Sequence, residues 1–90
     1  MAHVKVEARQ PDAASEMRRL QRAITSVLKA SLDEADVRPR DLATKLGWTR
    51  RQVYNLLQGR KAVRVLDLIL IAHVLRVNAE VLLRRIIRWE

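Results

Sequence analysis

Apolar side chains recur along this chain at intervals of three and four residues, and the rhythm is broken and restarted four times. The first run is Met17, Leu20, Ile24, Val27 and Leu28, the signature of one helical face. Ser15 reads as its N-cap, with Glu16 in the first turn, and the helix is expected to end near Leu32. "DEADV" follows as an acidic connector. Pro39 restarts the pattern, because its fixed φ and missing N–H suit the first helical position. This second helix is short, about Pro39 to Leu46, with Leu42, Ala43 and Leu46 inward. Gly47 stands where a chain leaving a helix often needs positive φ, and Thr49 can cap a third helix from Arg50 to about Gln58, ended by Gly59. After the basic loop "RKAVR", the stretch "VLDLILIAHVL" is apolar on nearly every side and predicts a buried helix from Val65 to Leu75. Asn78 can cap a fifth, about Ala79 to Arg88.

Residues 1–14 do not join this rhythm. "HVKVEA" alternates like a weak strand, but Pro11 and Asp12 interrupt it and no neighbouring segment can pair with it. The segment is expected to be an N-terminal arm, flexible or paired with a partner chain, ahead of a helical domain over 15–90.

The totals agree with an all-α domain. Ninety residues allow one modest core. With no Phe, two Trp and one Tyr, that core must be aliphatic. Only two Gly and two Pro are present, too few for the turns of a β-sandwich. No cysteine means no disulfide, thiolate metal site or cysteine nucleophile. The opening residues contain no apolar core of a signal peptide, and "LILIA" is far too short to span a bilayer. A cytoplasmic protein is expected.

Charge becomes informative once it is located. The net charge is +8, and residues 38–64 hold eight basic side chains against Asp41 alone, a local net of +7. Residues 1–37 balance at zero. A charge run is commonly just a solvated face. Confinement to one structural unit is instead the footprint of a polyanion-binding surface. Arg18, Arg22 and Lys29, in one outward row on the first helix, are adequately explained by solvation.

A link of about three residues between the second and third helices prevents antiparallel return and leaves them crossed steeply, as in a helix-turn-helix over about 39–58. Packing at that crossing assigns Leu42, Ala43, Leu46, Gly47, Val53 and Leu56 to the seam and turn. The stretch "PRDLATKLGWTRRQVYNLLQGRK" resembles the core of the Xre/Cro/lambda-repressor-like DNA-binding family through Leu42, Ala43, Leu46, Gly47, Thr49, Val53, Leu56 and Gly59. "LDLILIAHVLRVNAEVLL" is similar to that family's fourth and fifth helices, so the likeness spans about residues 16–83. It implies the five-helix lambda-repressor-like fold, in agreement with the helix count above. Two positions depart from the family pattern. Pro39 replaces a Gln that reaches a DNA phosphate, leaving Arg38 or Arg40 for that contact. Arg76 replaces a customary Gly, so the turn after the fourth helix is expected to differ locally.

At about 100° per residue with Val53 inward, Leu56 and Leu57 lie near it, while Arg51, Tyr54, Asn55 and Gln58 point away. Arg50 sits at the flank of the helix N-terminus. Arg can read guanine O6 and N7 in the major groove, and Asn can read adenine. The base-readout candidates are therefore Arg50, Arg51, Tyr54 and Asn55. Arg38, Arg40, Thr49, Gln58, Arg60, Lys61 and Arg64 are candidates for phosphate contacts, which position the protein without specifying sequence.

The C-terminal half carries more apolar residues than this fold normally buries. Leu66, Leu70, His73, Val81, Ile86, Ile87 and Trp89 form a candidate dimer interface unless the first helix or the arm covers them. The sequence contains no phosphate-binding Gly-rich loop, nucleophile elbow or zinc motif, so neither an enzyme nor a cofactor is expected. Double-stranded DNA is the expected partner. The reading is a transcriptional regulator of phage or bacterial repressor type, nucleoid-associated and homodimeric on an inverted repeat. The alternative is a protein-interaction module, such as the antitoxin of a toxin-antitoxin pair.

Overall fold

Five helices, α1 (Ala13–Glu34), α2 (Pro39–Leu46), α3 (Arg50–Leu57), α4 (Val65–Leu75) and α5 (Ala79–Ile87), make up the computed structural model, which describes residues 12–89. Among the described residues there is no strand. The expected arm lies almost wholly outside them.

The α1 helix starts three residues earlier than the sequence pattern suggests. Asp12, rather than Ser15, is its N-cap, its carboxylate accepting from the Ala14 N–H at 3.1 Å. At the other end α1 absorbs Asp33 and Glu34, so the acidic connector shrinks to a few residues. Its inward face begins at Ala23 and continues through Val27, Leu28 and Leu32. Met17, expected on that face, is 68% exposed.

Three helix starts use the same chemistry in different forms. Thr49 and Gln52 form a reciprocal capping box on α3, with Thr49 Oγ1 accepting from the Gln52 N–H at 3.0 Å and Gln52 Oε1 accepting from the Thr49 N–H at 2.8 Å. At α2 and α4 the N-cap is an arginine, which has no side-chain lone pair to offer. There an Asp three residues later accepts from the N-cap N–H, Asp41 from Arg38 at 3.3 Å and Asp67 from Arg64 at 3.1 Å. Asn78 caps α5 as anticipated, accepting from the Glu80 N–H at 2.7 Å.

The core is aliphatic and draws on every helix, with Leu28, Leu42, Leu56, Ile71 and Leu82 at its centre. Trp48 and Trp89 are half-buried against it. The α2 helix packs on α3 and α4, while α1 runs along α5 and touches α3. A bidentate ion pair joins α1 to α5. Arg85 Nη1 and Nη2 each donate to a Glu34 oxygen at 3.2 Å, and Nη1 also donates to the buried Ser31 Oγ at 3.2 Å.

Two expectations about the C-terminal half are corrected. The α4 helix is not buried all round, since Val65, Leu66 and Ile69 are 75%, 57% and 48% exposed. Only Asp67, Ile71, Ala72 and Leu75 are buried. Apolarity on every side hides from the sequence which side meets the core. The turn after α4 also keeps a left-handed step, which Arg76 itself adopts at φ 60 and ψ 39. The Val77 N–H then donates to Ala72 O at 3.0 Å.

Candidate nucleic-acid interface

The crossing of α2 and α3 is built from small and aliphatic residues. Leu42, Ala43, Val53 and Leu56 are all at most 3% exposed, and Leu46 is half-buried beside them. Burial of each large aliphatic side chain contributes about 1.5–3 kcal/mol to holding the pair together. Gly47 makes the turn at φ 71 and ψ 24, and the Trp48 N–H donates to Ala43 O at 2.9 Å. A Cβ at Gly47 would meet no atom within 4 Å, so backbone conformation alone asks for glycine there.

That packing turns the other side of α3 to solvent. Arg50, Arg51 and Gln58 are exposed, Tyr54 is 52% exposed and Asn55 is half-buried. The Arg60 guanidinium stacks over the Tyr54 ring at 5.6 Å from its centroid, which ties the loop after α3 to the helix face. Arg38, Arg40 and Thr49 are exposed at the starts of α2 and α3, and Arg60 and Lys61 are exposed beyond the end of α3.

The basic block is largely unneutralised. Among the described residues the ion pairs are Arg19–Glu16, Arg64–Asp67 and Arg85–Glu34. Of the cations between residues 38 and 64, only Arg64 belongs to one of them. Its Nε and Nη2 donate to Asp67 Oδ2 and Oδ1 at 3.2 and 3.1 Å. Two of its five donors are thus committed within the fold, which sets Arg64 apart from Arg60 and Lys61.

Asp67 escaped the sequence reading, which treated α4 as an apolar helix. The signal was present in the spacing, an Asp three residues after the residue that precedes a helical run. The Arg64 side-chain hydrogen bond holds the Asp67 carboxyl below the usual aspartate range against the opposing effect of burial, with smaller contributions from the Arg64 N–H and the charges of Arg64 and Lys61.

The apolar surface also differs from the expected set. Ile86 is 3% exposed and belongs to the core, so it does not form part of an outer face. Leu70 and Trp89 are half-buried, whereas Leu66, His73, Val81 and Ile87 are exposed. Val65, Ile69, Val77 and Leu83, absent from the expected set, are exposed as well.

Among the described residues no three His, Asp or Glu side chains come together as a metal site, and no helix is long and apolar enough to cross a membrane.

Comparison with known proteins finds no match among curated proteins or solved structures. A family model described as helix-turn-helix matches residues 28–82. That match covers more than half of the chain and contains the crossed α2–α3 pair, its turn and the loop beyond it. The protein belongs to the Xre/Cro/CI-like helix-turn-helix family of DNA-binding transcription regulators.

Proposed function

We propose that this regulator is of repressor type and binds an inverted-repeat operator as a homodimer. The observation that carries the reading is an exposed polar face of α3 flanked by cations that have no acidic partner among the described residues. Insertion of the α3 N-terminus into the major groove brings Arg50 and Arg51 toward guanine edges and Asn55 toward adenine. Tyr54, steadied by Arg60, packs on a thymine methyl or donates to a phosphate. Arg38, Arg40 and Thr49 on one side, with Gln58, Arg60, Lys61 and the free edge of Arg64 on the other, grip the sugar-phosphate backbone. Arg38 and Arg40 take the place of the family's phosphate-binding Gln.

The dimer reading rests on exposed apolar side chains concentrated in α4 and α5. Val65, Leu66, Ile69, Leu83 and Ile87 are each at least 48% exposed. Val65, Ile69 and His73 follow one another at four-residue steps along α4, and Leu83 and Ile87 do so along α5. A second copy covering this face removes it from water and places two α3 helices for half-sites about 34 Å apart. The reading uses no cofactor or catalytic group and places the protein in the cytoplasm on the nucleoid. The antitoxin alternative draws no support from the family match.

Selection of bound duplexes from a random pool tests the proposal, with a palindromic consensus as the expected result. A pool with no base preference at low salt would overturn it.

A further inference from the structure

We propose that α1 contributes a second phosphate-binding cleft, formed by Arg18, Gln21 and Arg22 against Gln58 and Gly59 at the end of α3, which holds a phosphodiester of bound duplex DNA. It rests on the DNA-binding reading and extends the interface to a helix that reading does not use.

The cleft has a volume of about 280 Å³ and lies where α3 gives way to its basic loop. Three observations point to an anion there. Gln21 Nε2 is buried with no hydrogen-bond partner. A donor left in that state costs folding free energy, and a turn of the half-buried Gln21 side chain into the cleft presents it to an incoming acceptor oxygen. Arg18 and Arg22 are exposed one helical turn apart on the rim, and neither joins an ion pair among the described residues. The nearby Glu16 carboxylate is occupied by Arg19 at 2.7 Å. Gly59 keeps the floor open: its ideal Cβ position is 3.6 Å from Thr25 Cγ2 and 3.8 Å from Gln21 Nε2. A longer side chain there would fill the space beside the unpaired amide.

Position supports the duplex backbone as the source of the phosphate. Gln58 opens the cleft on the side from which Arg60 and Lys61 continue the basic run. Arg18, Gln21, Arg22 and Thr25 all precede the family match at residues 28–82. Solvation alone accounts for an outward row of arginines, but it does not account for a buried amide donor between them.

The test compares wild type with Arg18→Gln/Arg22→Gln and with Gln21→Leu on the selected operator and on a scrambled duplex across a salt series. Loss of the neutralisation of that one phosphate should reduce the magnitude of the log K against log salt slope by about 0.9 on both duplexes, and Arg18→Lys/Arg22→Lys should restore it. Gln21→Leu should weaken both duplexes roughly two- to tenfold with the slope unchanged, while thermal unfolding shows equal or greater stability. An unchanged slope in the double glutamine variant, with wild-type operator preference intact, overturns the cleft alone. A wild-type chain that shows no base preference, yet loses slope in that variant, overturns the operator reading and upholds the cleft. Absence of all duplex binding overturns both. Calorimetric titration of the free protein with inorganic phosphate should show no saturable uptake; saturable uptake abolished by the double glutamine variant would overturn the assignment to duplex DNA.

Discussion

The buried carboxylate of Asp67 accepts three hydrogen bonds from Arg64, one from its backbone N–H at 3.1 Å and two from its guanidinium at 3.2 and 3.1 Å. Asp67 is 1% exposed, whereas the Arg64 side chain is 69% exposed. One residue therefore closes the start of α4 and orients a cation at the edge of the basic block.

Acid should loosen this junction. Folding favours the ionised Asp67 carboxylate, whose pKa is lowered chiefly by the Arg64 side-chain hydrogen bond. Its contribution is complete above the ordinary aspartate pKa and disappears as pH falls through the lower value of the folded state. Asp67→Ala should cost about 1–3 kcal/mol at neutral pH and flatten the acid limb of a stability-against-pH curve. Urea unfolding across that range measures both. An acid limb identical to wild type would refute the assignment.

Two helix ends take the same left-handed step with different residues. Gly47→Ala should destabilise by about 1 kcal/mol through backbone conformation alone, because no neighbouring atom obstructs the new Cβ. Arg76→Gly should stabilise by about 0.5–1 kcal/mol, since relief of the φ 60 strain exceeds the entropy that glycine adds to the unfolded chain. Thermal unfolding of both variants checks the opposite signs.

Reading and gripping should separate by mutation. Arg51→Ala is expected to cost about 1–3 kcal/mol on the selected operator and to relax one base preference. Lys61→Ala should weaken all duplexes alike and reduce the salt slope by about one unit. Equal effects of either substitution on operator and scrambled DNA would show that these roles are misassigned.

The outer face of α4 should govern assembly while its neighbours govern folding. Ile69→Glu, at a half-exposed position, should leave unfolding nearly unchanged and shift the molecular mass in light scattering from dimer to monomer. Ile86→Ala should instead cost about 2–5 kcal/mol as a core cavity. A dimer that survives Ile69→Glu, Leu66→Glu and Leu83→Glu in turn removes this face from the interface.

Much of the site could be read along the chain because its grammar is local. Pro39, Gly47, Thr49 and Asn78 act within a few residues of themselves, so α2, α4 and the starts of α3 and α5 lie where the pattern puts them. The charge of the 38–64 block and the outward set on α3 follow from composition and helical period. Asp67 was missed because its capping role was hidden inside an apolar run. Arg85 was missed because its partners, Ser31 and Glu34, are more than fifty positions away.

By itself the sequence determined five helices, the crossed pair and the polar face of α3, since hydrogen-bonded turns and caps depend on neighbours in the chain. Tertiary packing decided which side of the uniformly apolar α4 is buried, that Ile86 is core while Ile87 is surface, and that Arg64 is engaged while Arg60 rests on Tyr54. It also brought the α1 arginines beside Gly59. Each of these outcomes depends on which helix lies opposite, and residue spacing within one helix contains no information about that.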